Sequence, residues 1–233
     1  MGKDIIAQKR GSSPRYRSPS FKFKGAAKHL PSKYTKATIV ELVHCLGHTA
    51  PLIAVKTDDN ERHLMIAPLG VSVGQEISYD ATQPSIGNSF KLKDLPEGTL
   101  IHNIELRPGD GGKFARASGT AARIVSKQEG TVAVMLPSKK RKFLNENCIA
   151  TVGTVAAGGR LEKPLLKAGN SFYKYAPRRK LWHKTSAGKM NAVNHPFGNT
   201  RSSKKAKARP APKFAPPGRK VGKIRPKRTG MRK

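Results

Sequence analysis

Thr38-Ile39-Val40-Glu41-Leu42-Val43, followed after a Gly47/Pro51 break by Leu52-Ile53-Ala54-Val55, is the stretch on which the fold turns. Aliphatic and β-branched runs this short, punctuated by glycine and proline, read as strands and not as helix. Asp58-Asp59-Asn60 is a turn signal, Arg62-His63-Leu64-Met65-Ile66 resumes the pattern, and Gln75-Glu76-Ile77-Ser78-Tyr79 follows Gly74. Strands at this spacing, with no convincing helix, predict a small barrel of the OB type over residues 37–86. About fifty residues bury too little apolar surface to stand alone, so this unit is expected to lean on its neighbours.

A second series begins past Pro84 and Gly87. Leu100 to Leu106 reads as a strand with Leu100, Ile104 and Leu106 on one face and His102 between them. Thr120 to Ser126 and Thr131 to Leu136 flank Gln128-Glu129-Gly130, a hairpin turn, and Cys148 to Val155 closes the series. Five or so short strands fit a second small barrel, SH3-like, over residues 87–170. The expected fold is an all-β core, an OB-fold followed by an SH3-like barrel, carried between long basic N- and C-terminal extensions, residues 1–36 and 171–233.

Charge separates these regions. The chain has 233 residues, 46 Lys and Arg against 14 Asp and Glu, and a net charge of +32. Residues 1–36 carry +9 and residues 37–170 only +3, whereas residues 171–233 hold twenty cations and no acid. Such an excess would repel itself in a free globule and implies a polyanionic partner, nucleic acid first. A membrane partner is not expected: no apolar run approaches the ~20 residues a span requires, and the basic segments lack an apolar face. The N-terminal stretch has no apolar signal region, and Ile6 stands where a myristoylation signal needs Ser or Thr. Residues 204–233 alternate cations with proline and glycine, a composition that cannot build a core and would order on a polyanion.

No motif of nucleotide hydrolysis, zinc proteolysis, dithiol chemistry or serine hydrolysis occurs: there is no GxxxxGKS/T, HExxH, CxxC or GxSxG. His44 and His48 would share a metal only on a helix, so no metal site is expected. Cys45 and Cys148, each in an apolar run, read as buried thiols.

Candidate contacts to a polyanion fall in clusters. Arg10, Arg15 and Arg17 lie in the N-terminal arm. Arg107-Pro108-Gly109-Asp110-Gly111-Gly112-Lys113 is a turn that is either a plain glycine-rich connection or a cradle of backbone N–H groups for a phosphate, with Arg116 and Ser118 just beyond. Lys139, Lys140 and Arg141 form a basic hairpin tip. Residues 172–201 interleave aromatics with Arg178, Arg179, Lys180, Trp182, Lys184, Lys189 and Arg201, a mixture that stacks on unpaired bases while cations bind phosphates, or docks its rings on the barrel. Within it, Met190-Asn191-Ala192-Val193-Asn194-His195-Pro196-Phe197-Gly198 reads as an irregular loop making polar contacts through Asn191, Asn194 and His195.

Several blocks resemble, in order, the universal ribosomal protein L-two family of the large subunit: Gly98 to Glu105, the turn at 108–112, Arg116 to Thr120, Leu136 to Ser138, Cys148 to Gly153, Lys167 to Asn170 and the Met190–Gly198 loop. The resemblance implies an OB-fold and an SH3-like barrel with arms threading into large-subunit ribosomal RNA. It also implies other large-subunit proteins as partners, a contact to the small subunit, a role in tRNA binding, and a place near the peptidyl transferase centre, approached by the loop around Asn194, His195 and Pro196. The protein would be a monomer within the cytoplasmic ribosome, without a cofactor of its own, although RNA-associated Mg2+ is expected nearby. The compact length and the short first barrel look more like an archaeal-type member than a bacterial one, and two departures from the bacterial pattern stand out. Asn194 and Phe197 stand where the pattern has Asp and a second His, and Asn199-Thr200-Arg201-Ser202 replaces a glycine-rich acidic stretch. A His–carboxylate pair could serve as a general base; with Asn194 and Phe197 that constellation is missing, and an enzyme is not expected. The competing class, a DNA architectural protein, would need minor-groove wedges on a dimeric scaffold, and the sequence offers no dimer seam.

Overall fold

The computed structural model describes residues 3–11, 13–31, 33–79, 83–199 and 210–225. The chain divides into two compact units, one of residues 20–164 and one that gathers residues 1–19 with 165–233.

The first unit is all-β apart from short 3-10 turns. Its N-terminal sheet comprises β1 (Lys36–Val43), β2 (Leu52–Thr57), β3 (Arg62–Ile66) and β4 (Glu76–Ser78), antiparallel in the order β3-β2-β1-β4. The unbroken apolar run of β2 has a physical reason. Leu52 and Ala54 point into one core with Val43, Cys45 and Ile66, while Ile53 and Val55 point into another with Ala37, Ile39 and Met65. A strand covered on both faces needs apolar residues at every position. A bulge between Ile39 and Glu41 lets β1 serve both cores, because one extra residue exchanges the inward and outward faces.

The second sheet is six-stranded: β5 (Ser89–Lys91), β6 (Leu100–His102), β7 (Ala122–Gln128), β8 (Thr131–Met135), β9 (Arg141–Asn145) and β10 (Ile149–Val152), in the order β5-β10-β6-β7-β8-β9. Phe90, Leu92, Ile101, Ile104, Ile124, Val134 and Leu144 form its core. The β7–β8 register pairs Gln128 with Thr131, which leaves Glu129-Gly130 as a two-residue loop with Gly130 at φ +74°.

The reading of Leu100–Leu106 as one strand fails. β6 ends at His102 because Asn103 takes φ +49°, and this left-handed residue breaks the alternation. Leu100, on the outer face of β6, and Leu106, past the break, are exposed, while Ile101, His102 and Ile104 are buried.

The N-terminal sheet is completed from outside its own sequence. Leu69 N–H donates to Thr154 O (2.8 Å), Ala156 N–H donates to Ala67 O (2.9 Å), and Pro68 pairs with Val155. Val155 belongs to the Leu52 core and Ala156 packs on the Ile53 core. Nearby, Gly119 (φ +70°) lies so close to the chain that a Cβ there would sit 2.5 Å from Gly158 Cα. Gly119→Ala is expected to destabilise the protein by about 2 kcal/mol in urea unfolding, combining overpacking with a disfavoured φ. Unchanged stability would contradict this packing.

Two histidines are buried in the same unit. His29 Nε2–H donates to Asn103 O and His102 Nδ1–H donates to Gly153 O (3.1 Å). Among the described residues His29 Nδ1 and His102 Nε2 have no hydrogen-bond partner. Burial lowers the pKa of each to about 4.

The second unit contains the one α-helix among the described residues, α1 (Ala168–Tyr175), in a stretch whose sequence reading names no element. It is eight residues long, opens on Lys167 without a side-chain cap and leads into a 3-10 turn at Ala176–Arg178, so neither length nor capping announces it. Ile5, Tyr16 and Ala211 are buried here, Ala211 bridges Ile224, and Lys3 N–H donates to Val193 O (2.9 Å).

Candidate nucleic-acid interface

The glycine-rich turn after β6 does not hold its amides open for a phosphate. Glu105, buried to 1% exposure, accepts N–H bonds from Gly109 (3.1 Å), Gly111 (3.0 Å) and Ile149 (2.9 Å). Asp110 takes those of Leu106 (3.1 Å), Arg107 (3.3 Å) and Gly112 (3.1 Å). The chain thus supplies its own anions to the nest, satisfying donors that a phosphate would otherwise be needed to satisfy. Glycine is required at 112, where φ is +93° and a Cβ would meet Asn103 Oδ1 at 2.3 Å. The same two carboxylates add to the burial that pushes the Cys148 thiol up to about 11. Cys45 and Cys148 are both free and buried.

What this rigid turn presents outward is side-chain charge. Arg107 and Lys113 are exposed. Arg116 is half-buried and donates to the carbonyls of Gly112 and Ala27, so it staples the turn to the segment before β1. Ser118 is buried, and its hydroxyl accepts from Arg160 Nε (2.7 Å). These two candidates have internal partners that sequence reading could not anticipate. By contrast Lys139, Lys140 and Arg141 are exposed at the β8–β9 turn, where Lys139 adopts φ +64° and Leu136 N–H donates to Lys140 O (3.0 Å). Lys142, the next cation, lies 4.3 Å over the Phe114 ring.

In the second unit Arg10, Arg17, Arg178, Arg179, Lys180, Lys184 and Lys189 are exposed. Arg179 Nε donates to Ser18 Oγ (3.3 Å), tying the C-terminal segment to the N-terminal one. Arg15 lies in the 3-10 turn Pro14–Tyr16, and Arg201 lies outside the described residues. Trp182 is half-buried and stacks on Tyr175 at 5.0 Å with the rings 13° apart. One face of the indole is therefore spent inside the unit.

The Met190–Gly198 loop is a compact, self-bonded turn. Asn194 N–H (2.9 Å) and His195 N–H (3.2 Å) both donate to Asn191 O, and Asn199 N–H closes onto Met190 O (3.1 Å). Phe197 N–H donates to His195 Nδ1 (3.0 Å), which leaves Nε2 of the neutral ring as the protonated nitrogen. Two clefts flank the loop. One of about 420 Å³ is lined by Lys3, Asp4, Gln8, Val193, His195 and Pro196, and the other, of about 370 Å³, by Asp4, Lys9, Lys189, Asn191 and Asn194. Asn191, Asn194 and His195 are thus gathered with cations of both chain ends. Asp4 lines both clefts and is the sole acid in the sequence of this unit. Among the described residues no three His, Cys, Asp or Glu side chains gather for a metal ion, and no helix is long and apolar enough to cross a membrane.

Residues 85–215 match the family described as Ribosomal Proteins L2, C-terminal domain. Over its full length the chain is 42% identical to the large ribosomal subunit protein uL2 of Methanothrix thermoacetophila and 41% identical to that of Archaeoglobus fulgidus, covering the whole of both relatives. It is also 41% identical to the protein of that name from Natronomonas pharaonis, across 99% of this chain and 97% of the relative. These relatives are archaeal. The chain belongs to the uL2 family of large-ribosomal-subunit proteins.

Proposed function

We propose that the protein is a structural, non-catalytic constituent of the large ribosomal subunit that binds ribosomal RNA through both of its units. The observation that carries the reading is the charge of the second unit: residues 1–19 and 165–233 together hold twenty-six Lys and Arg and the single acid Asp4. Charge of one sign at that density is self-repelling, and a ring of RNA phosphates relieves it with release of counterions. The first unit fits a different role. Its N-terminal sheet serves as an OB-type domain and its second sheet as an SH3-like one, together holding the Arg107–Lys113 turn and the Lys139–Arg141 tip in fixed positions against RNA backbone.

The Met190–Gly198 loop is the segment assigned to the peptidyl transferase region, with support of tRNA binding and subunit association following from that place. His195 makes polar contact there and is not a general base, since its Nδ1 is engaged by the Phe197 amide. Mg2+ near the arms is assigned to the RNA's own phosphates.

Sedimentation of a lysate on sucrose gradients at low and high salt, with mass spectrometry of each fraction, tests the reading. The chain is expected to stay with the large subunit after a high-salt wash; running with DNA or at the top of the gradient would favour an architectural DNA-binding role. A finer test concerns the hairpin tip. Lys139→Gln/Lys140→Gln/Arg141→Gln is expected to weaken binding to large-subunit rRNA and to lower the slope of log affinity against log salt by about two to three, near one per lost phosphate contact. An unchanged slope would place the tip in solvent.

A further inference from the structure

Helix α1 is turned the wrong way for a core. Its one buried residue is Ser171, whereas the two rings that follow, Phe172 and Tyr173, stand 53% and 72% exposed. A helix packed for stability alone places aromatics inward and serine outward. The two rings are not scattered singly: they meet edge to face, centroids 5.5 Å apart and planes at 79°, and form one aromatic surface. Eight residues make a marginal helix, so holding these rings in water needs another reason than local stability.

The surroundings narrow the occupant. Lys174 adjoins the pair, Arg178, Arg179 and Lys180 follow as exposed cations, and no acid occurs anywhere from 165 to 233. An apolar protein surface docking here would have to strip water from four uncompensated cations. A nucleotide matches both features at once, because its base has a flat π face and its phosphates take the cations. Trp182, the residue composition favours for stacking, is less available, since Tyr175 covers one face of it.

We infer that Phe172 and Tyr173 form a stacking platform for an unpaired base of ribosomal RNA, with Tyr173 as the more open face, Phe172 as its buttress, and Lys174 and Arg178 to Lys180 engaging the flanking phosphates. The inference rests on the rRNA-binding reading and names the chemistry of one part of it.

The test uses the full chain and deproteinised large-subunit rRNA, with affinity measured over a series of salt concentrations, and ultraviolet zero-length cross-linking read by mass spectrometry. Phe172→Leu/Tyr173→Leu keeps a good helix former at both positions and removes only the rings. It is expected to bind about ten-fold more weakly at every salt concentration with an unchanged salt slope, the order of one lost base–aromatic stack. Tyr173→Phe is expected to bind as the unsubstituted chain does, and the cross-linked nucleotide should lie on the peptide carrying Phe172 and Tyr173. A double variant that binds at full strength, with the steep salt dependence retained, overturns the platform while leaving rRNA binding in place. Absence of salt-dependent rRNA affinity in the unsubstituted chain would remove both readings together.

Discussion

Glu105→Ala is expected to be the most damaging single substitution in the β unit, lowering unfolding free energy by about 4 kcal/mol. The carboxylate is buried and accepts three backbone N–H groups: Gly109 and Ile149 on Oε2, Gly111 on Oε1. Alanine leaves all three donors unpaired, and each unsatisfied buried donor costs about 1–3 kcal/mol, moderated by whatever water enters the space. The damage also spreads. Ile149 opens β10, which is paired on both sides, by β5 and β6, and Glu105 N–H itself donates to Ile149 O (3.0 Å). Glu105→Gln should cost about 2 kcal/mol, because one amide oxygen still accepts while the –NH2 faces a donor. Urea unfolding followed by circular dichroism measures both, and a loss below about 1 kcal/mol for the alanine variant would mean that the amides find other partners. Binding of rRNA by the folded fraction should weaken too, since Arg107 and Lys113 ride on that turn.

The second large effect is a loss of stability on mild acidification. His29 and His102 each hold their proton on the nitrogen that bonds a carbonyl, and the other nitrogen of each has no partner among the described residues. Adding a proton there would create a buried donor and a buried charge at once, so burial is the leading reason that both pKa values fall from 6.5 to about 4. Arg116 opposes protonation of His29, and His29 opposes that of His102. The unfolded chain takes up protons below its ordinary histidine pKa while the folded chain does not. Stability is therefore full above pH 6.5 and falls as pH drops toward 4. By pH 5 the linkage amounts to about 2 kcal/mol per histidine, or about 4 kcal/mol for the pair. Measurement between pH 6.5 and 5 keeps clear of the ordinary carboxylate range. Thermal unfolding of the free protein should show the decline, and His29→Gln/His102→Gln should flatten it even if its stability at pH 7 is lower. A wild-type curve flat across that interval would disprove the linkage.

How far such features could be read beforehand depended on whether their cause was local. β2 and β3 follow from runs of aliphatic residues closed by turn residues, and Arg62–Ile66 is a strand to the residue. The exposure of Lys139, Lys140 and Arg141 was legible because a tight turn has nowhere to bury three cations. The strand does not run through to Leu106 because the left-handed dihedral at Asn103 ends it at His102, and asparagine gives only a weak signal of that break. The β9 strand hid behind its own charge, since Arg141-Lys142-Phe143-Leu144-Asn145 buries Leu144 alone. The glycine turn looked able to hold a phosphate because composition shows the donors. That Glu105 folds beneath them and that Ile149 joins them from 44 residues away is a tertiary fact. Trp182 is likewise ambiguous from composition, because the Tyr175 ring against its face, seven positions earlier, is also a tertiary fact.

The strip of chain at 154–156 that completes the N-terminal sheet bears on how the protein can be made. A polypeptide emerging from N to C terminus would have β1 to β4 available while Val155 and Ala156 were still tens of residues from synthesis. During that interval the Leu52 and Ile53 cores stay partly uncovered, and the exposed strand edges invite mispairing. The sheet that forms first in the sequence is thus closed late in time, and of the two sheets it is the one left open longest during synthesis.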